Sequence, residues 1–276
     1  MPTITPTERT VKTLIGNQRN LEAHYGAQML NDSRTTLNHK YQVQSGVVPT
    51  MYPTIKYAGI GIRGKRNVDD GFLTEPNEVS ARNMDLYTPI PFRVVPATQD
   101  LIPSERALYR MRQPMRVGNT DYIAYWLKAL VFSSSSVQFT RTDPTSLVET
   151  EYALDYTDLT PTPPVPSVNG VITDSAAELN VSLAASFGVT GAEVVESVNV
   201  LYAGDLRYAV VSELGLYTGE DKVVQATGAD GVSFNYTEAM FVQLAQHTTW
   251  NGTDFGNTTR SETFPLRFAR QDVVLA

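Results

Sequence analysis

Cysteine is absent from this chain, which excludes disulfides, thiolate metal sites and a thiol nucleophile together. Histidine is scarce. His24, His39 and His247 stand apart, without the short-spaced partners used by metal centres and catalytic triads, and they read as polar surface or arm residues. Charge is thin, with only 18% Asp, Glu, Lys and Arg against about a quarter in ordinary domains. It leans acidic, because 22 Lys and Arg face 29 Asp and Glu for a net charge of -7. Such a balance repels a phosphate backbone or an anionic membrane unless basic residues cluster. No apolar run reaches the length of a membrane span, and the opening MPTITPTERT has neither the basic start nor the apolar run of a secretory leader. Synthesis and first folding in the cytoplasm are therefore expected. The Asn-x-Ser/Thr triplets at Asn31, Asn180, Asn235, Asn251 and Asn257 then carry no glycan message.

What is present is a turn-rich chain of 276 residues with 16 Pro and 18 Gly, long enough for one large domain or two modest ones. Thr5, Pro6 and Glu8 form a helix-start signal. The following apolar positions, Val11, Leu14, Ile15, Leu21, Tyr25 and Met29, are sparse. Residues 1–45 read as a partly helical arm that packs on its own main domain or on a neighbouring subunit, with most of its order expected from the neighbour.

Beyond the arm, Ile55 to Ile62 alternates as a strand, residues 66 to 82 read as a loop, and Leu86 to Val95, with Pro89 and Pro91, as an edge strand or crossing segment. A short helix is predicted from Ser104 to Arg112, stopped by Pro114. Tyr122 to Phe132 reads as a strand, paired in a hairpin with the alternation at residues 137–141. PTPPVP at residues 161–166 marks a boundary. After it, Leu179 to Phe187, Ser197 to Tyr202, Tyr208 to Tyr217, Val232 to Tyr236, Met240 to Leu244 and Phe264 to Phe268 are strand candidates separated by turn signals. The expected class is mainly β, an antiparallel β-sandwich of one or two β domains. The expected division is an arm at 1–45, a β-rich domain at 46–160, a proline-rich linker at 161–167 and a sandwich-like domain at 168–276.

The sharpest chemical motif is Gly59-Ile-Gly-Ile-Arg-Gly-Lys-Arg66, which fits G-x-G-x-x-G and most of a phosphate-binding loop. Arg66 stands where such a loop needs a magnesium-binding Ser or Thr, and turn-forming residues follow where a helix should start. A glycine-rich strand and turn with closely approaching backbones fits better. Glu149 with Glu151, and Asp69 with Asp70, read as solvated loop charge; Asp254, Asn257 and Glu262 lack the spacing of a calcium loop. No catalytic, cofactor-binding or metal-ligating residue is assigned. The 14 tyrosines are dispersed, which favours core and interface packing over a sugar platform.

Ser212-Glu-Leu-Gly-Leu-Tyr-Thr-Gly-Glu-Asp-Lys resembles a pattern of tailed-bacteriophage structural proteins, a strand ending in this motif before a turn. Lys56-Tyr-Ala-Gly-Ile-Gly-Ile-Arg-Gly and Pro89-Ile-Pro-Phe-Arg are similar to segments of tailed-phage virion proteins. The resemblance implies a non-enzymatic virion component of the neck, collar or head-to-tail connection, or of the baseplate, bound to other virion proteins in a homo-oligomeric ring or other multi-copy assembly. Neither specific nucleic-acid binding nor membrane insertion is expected. A receptor- or carbohydrate-binding tail module is the alternative class.

Overall fold

The computed structural model of the chain describes residues 8–25, 36–45, 53–68, 73–132, 138–142, 146, 148–151 and 178–273. In chain order the elements are β1 (Glu8–Lys12), α1 (Leu14–Tyr25), α2 (Leu37–Tyr41), β2 (Thr54–Gly61), β3 (Lys65–Val68), β4 (Leu73–Pro76), β5 (Pro89–Ile90), β6 (Arg93–Pro96), α3 (Pro103–Arg106), β7 (Tyr109–Val117), β8 (Thr120–Ala129), β9 (Val131–Phe132), β10 (Gln138–Thr142), β11 (Glu149–Glu151), β12 (Glu178–Thr190), α4 (Gly191–Leu201), β13 (Val210–Thr227), β14 (Ser233–Asp254) and β15 (Ser261–Val273). The chain is mainly β, and its sheets are antiparallel, as expected from the alternation.

One compact unit comprises residues 1–130 and 187–263. Its eight-stranded sheet has the order β1-β14-β13-β2-β8-β6, with β5 also on β2 and β7 also on β8. Alternation drives one set of side chains inward. Tyr57, Met111, Leu127, Tyr217, Val242 and Leu244 form a core to which α2 adds Leu37 and Tyr41. Each such fully buried side chain contributes roughly 1.5–3 kcal/mol. Tyr41 stacks on Trp126 at 4.4 Å between ring centroids.

Polar residues fasten the same core. Asn38, almost fully buried, donates to Val43 O and Ala239 O and accepts from Val242 N. Glu238 accepts from Met111 N, Arg112 N and Ala239 N. It thereby holds Met111 in a left-handed backbone at φ 58, a conformation that costs a non-glycine residue free energy.

The second unit comprises residues 131–186 and 264–276. Its sheet has the order β11-β10-β12-β15, with β9 also on β12.

Several expectations are corrected. Glu8–Lys12 is a strand on β14, and the helix starts after Thr13, whose hydroxyl accepts from Gly16 N. Residues 1–7 lie outside the described residues. Of the two hosts left open for the arm, its described parts pack on the chain's own sheet, through β1 and the buried Leu37, Tyr41 and Val43. The loop expected at 66–82 contains the β3–β4 hairpin. The helix expected through Arg112 ends at Arg106, and Pro114 lies inside β7. Because β7 pairs with β8 alone among the described residues, a missing donor is tolerated there. β8 is a strand as expected, yet its hairpin partner is β7, through the tight turn at Gly118 and Asn119, and not residues 137–141.

Ser197 to Tyr202 belongs to α4, a helix with a complete capping box between Thr190 and Glu193. The strands expected between Tyr208 and Leu244 merge into the long β13–β14 hairpin, and the turn expected at Thr218 is a register shift within it. The linker expected at 161–167 lies outside the described residues. The observed units divide the chain differently from the expected boundaries, since β2 from the first half pairs with β13 from the second.

Candidate functional site

The three segments that carry the virion resemblance are neighbours in space. In the β13–β2 ladder Glu213 pairs with Gly61, and in the β2–β5 ladder Gly61 pairs with Pro89. The glycines let the chains approach. A Cβ on Gly61 would lie 2.8 Å from Thr88 O and 3.1 Å from the Glu213 side chain, and one on Gly64 would lie 1.8 Å from Ser212 O.

Glu213 is the hub of this junction and is wholly buried. One carboxylate oxygen accepts from Arg63 N at 2.6 Å and Thr88 N at 3.2 Å; the other accepts from Tyr87 N at 2.7 Å and lies 3.2 Å from His247 Nε2. Asn83 Nδ2 is 3.0 Å from His247 Nδ1. With the amide nitrogen as donor, Nδ1 accepts, so the proton of a neutral His247 sits on Nε2 and is donated to Glu213. A buried carboxylate is costly unless its lone pairs are filled. Here three backbone N–H groups and an imidazole fill them.

The backbone atoms fixed by Glu213 belong to residues whose side chains face solvent. Arg63 is exposed and Tyr87 is 42% exposed. Together with Arg66, Asn77 and Glu78 they line an open depression of about 350 Å³. Asn77 Nδ2 donates to Arg63 O at 2.6 Å, and Asn77 O accepts from Thr249 Oγ1 at 2.7 Å. Tyr87 OH donates to Glu78 O. Two of the three nearby arginines are matched, Arg66 by Glu75 at 3.1 Å and Arg9 by Glu78.

Residues 1–269 match a family of unknown function, DUF7208. The chain belongs to that family. No curated protein and no solved structure matches it.

Other ionisable groups of this DUF7208 member secure its frame. Asp100 accepts from Arg112 at 2.8 Å and from Tyr125 OH at 2.6 Å. Asp221 accepts from Arg110 Nε at 2.7 Å and Tyr57 OH at 2.9 Å. Burial alone would raise the Asp221 carboxyl, but the bonds from Arg110 and Tyr57 hold it below the usual range. Glu193 bonds Lys128 Nζ at 2.7 Å and Tyr109 OH at 2.6 Å while capping α4. Glu238 moves the opposite way from Asp221: burial raises its carboxyl despite three backbone donors.

The residues singled out from sequence are thus dispersed. His247 is buried and partnered, which corrects its reading as a polar surface residue; His39 is exposed on α2, and His24 lies in α1. Glu149 and Glu151 are exposed on β11, while Asp69 and Asp70 lie outside the described residues. Asp254 accepts from Gly256 N, Asn257 from Thr259 N, and Glu262 pairs with Arg260. Among the described residues no three His, Asp or Glu converge as metal ligands. After Gly64 the chain forms β3, so no helix N-terminus faces the glycines. Sequence reasoning passed over Glu213, although a carboxylate set between apolar residues of a strand is an informative signal.

Proposed function

We propose that this protein is a non-enzymatic structural subunit of a tailed-phage virion, assembling by protein–protein contacts at the neck, collar or head–tail connection, with a baseplate position as the close variant. The observation that supports this most is the meeting of the three resembling segments around Glu213. Scattered short likenesses carry little weight, whereas three that adjoin in one sheet describe a single structural unit. The carboxyl groups fit a load-resisting role, because the buried Glu213, Glu238 and Glu193 and the more exposed Asp100 and Asp221 each tie together segments distant in sequence. The test is quantitative mass spectrometry of gradient-purified particles. A constant copy number per particle is expected; loss of the protein from intact particles during purification overturns the reading.

The alternative reading, a carbohydrate-binding tail module, draws on the half-exposed Tyr87 ring beside Arg63. Aromatic faces stack on sugar rings, and glycan binding abolished by Tyr87→Ala would favour it.

A further inference from the structure

The depression beside Glu213 has more organisation behind it than surface charge requires. Arg63 has its N–H bonded to the buried Glu213 and its carbonyl bonded by Asn77. Tyr87 has its N–H on the same carboxylate and its hydroxyl on Glu78 O. The two exposed side chains are therefore carried on backbone that the fold holds from beneath. Of the guanidinium groups around the depression, Arg9 and Arg66 already face Glu78 and Glu75. That of Arg63 is left without a carboxylate partner among the described residues.

We propose that Arg63 and Tyr87 form a docking seat for a single carboxylate side chain presented by a partner protein. The inference rests on the assembly reading above and names a contact surface within it. Four considerations select this occupant. A guanidinium fork carried on fixed backbone matches a carboxylate with two parallel hydrogen bonds. Arginine and tyrosine are, with tryptophan, enriched at the energetic centre of protein interfaces. Glu75 and Glu78 beside the seat disfavour a highly charged polyanion such as nucleic acid, as does the net charge of -7. The shallow, open form suits an inserted side chain more than an enclosed small ligand.

The test uses the full chain and a blocked peptide that carries one glutamate among glycines and serines, titrated at low ionic strength. Binding should weaken about tenfold in Arg63→Ala and also in Tyr87→Ala, and fall as salt is added. Arg207→Ala is the charge-matched control, since Arg207 is exposed and paired with Asp205 away from this seat; it should bind as the unaltered protein does. Equal binding by Arg63→Ala, or an equal loss in Arg207→Ala, overturns the proposal. Phosphate or glucuronate that binds with the same dependence on Arg63 while the peptide does not would assign the seat to a small anion or an acidic sugar, and also overturns it. So would self-association that Arg63→Glu abolishes, since the carboxylate would then come from a second copy. Failure here leaves the virion reading standing if the protein keeps its constant copy number in particles. Peptide binding by a protein that particles lack refutes the virion reading alone.

Discussion

Glu213→Gln is the substitution that most sharply probes how the frame holds the candidate site. The new amide can keep its oxygen on the side of Arg63 N and Thr88 N, which places its NH2 against Tyr87 N and His247 Nε2. His247 can adapt by moving its proton to Nδ1, provided Asn83 turns its amide to offer oxygen. The Tyr87 N–H cannot reverse, so one buried donor faces another, at a cost of about 1–3 kcal/mol. The bonds that remain become neutral, while relief from burying a charge offsets part of the loss. The balance predicts about 2 kcal/mol of destabilisation. Urea unfolding followed by tryptophan fluorescence reads it directly, because both Trp126 and Trp250 lie in the unit that contains Glu213. Amide exchange at Arg63, Tyr87 and Thr88 should quicken before that of the central strands. A change below about 0.5 kcal/mol, within the range of ordinary surface substitutions, would refute the role assigned to the carboxylate.

Four further outcomes are expected. Burial raises the hydroxyls of Tyr41, Tyr57, Tyr109, Tyr125, Tyr217 and Tyr236 above their ordinary value near 10. The folded state thus retains protons that the unfolded state releases, so stability is intact below pH 10 and falls above it, by up to about 1.4 kcal/mol per tyrosine per pH unit. Phenolate absorbance should show these six groups ionising together with loss of the fold, and smooth independent titration would contradict their burial. Asp221 has the opposite sign: its depressed carboxyl adds stability above the unfolded value near 4 that disappears as pH falls through the folded one, so Asp221→Asn should cost stability at neutral pH and nothing in strong acid. Asn38→Ala, which removes three buried hydrogen bonds, should cost about 3 kcal/mol in urea unfolding. Deleting residues 2–45 takes away β1 and the core side chains Leu37, Tyr41 and Val43, so circular dichroism should report a disrupted sheet; a stable, soluble remainder would show that the arm is dispensable to the fold.

The fold was legible where local pattern and final environment agree. Alternation locates β2 and β12, and the density of aromatic and β-branched residues locates β8, although β2 and β8 are buried over consecutive residues around Tyr57 and Tyr125. It misleads at α4, where Val194 and Val198 satisfy strand and helix alike, and the capping box Thr190-Gly-Ala-Glu193 was the available deciding signal. Thr218-Gly-Glu-Asp looks like a turn, yet its chain is held straight through a register shift by β14 on one side and β2 on the other. Pro114 looks like a helix stop because its use at a sheet edge depends on topology that no local window contains.

The candidate site was legible only in pieces. Both glycine-rich segments stood out, but Glu213 meets Arg63, Tyr87 and His247 through long-range pairing. The isolated spacing of His247 concealed its carboxylate partner, since that partner comes from the neighbouring strand β13.

The assembly reading is tested most directly by locating the protein within purified particles, using electron microscopy with a bound antibody fragment against an exposed loop. The account predicts discrete label at the neck, collar or head–tail junction, or at the baseplate in its close variant. Unlabelled particles that are otherwise complete, with all of the protein recovered in the particle-free fraction, would contradict it.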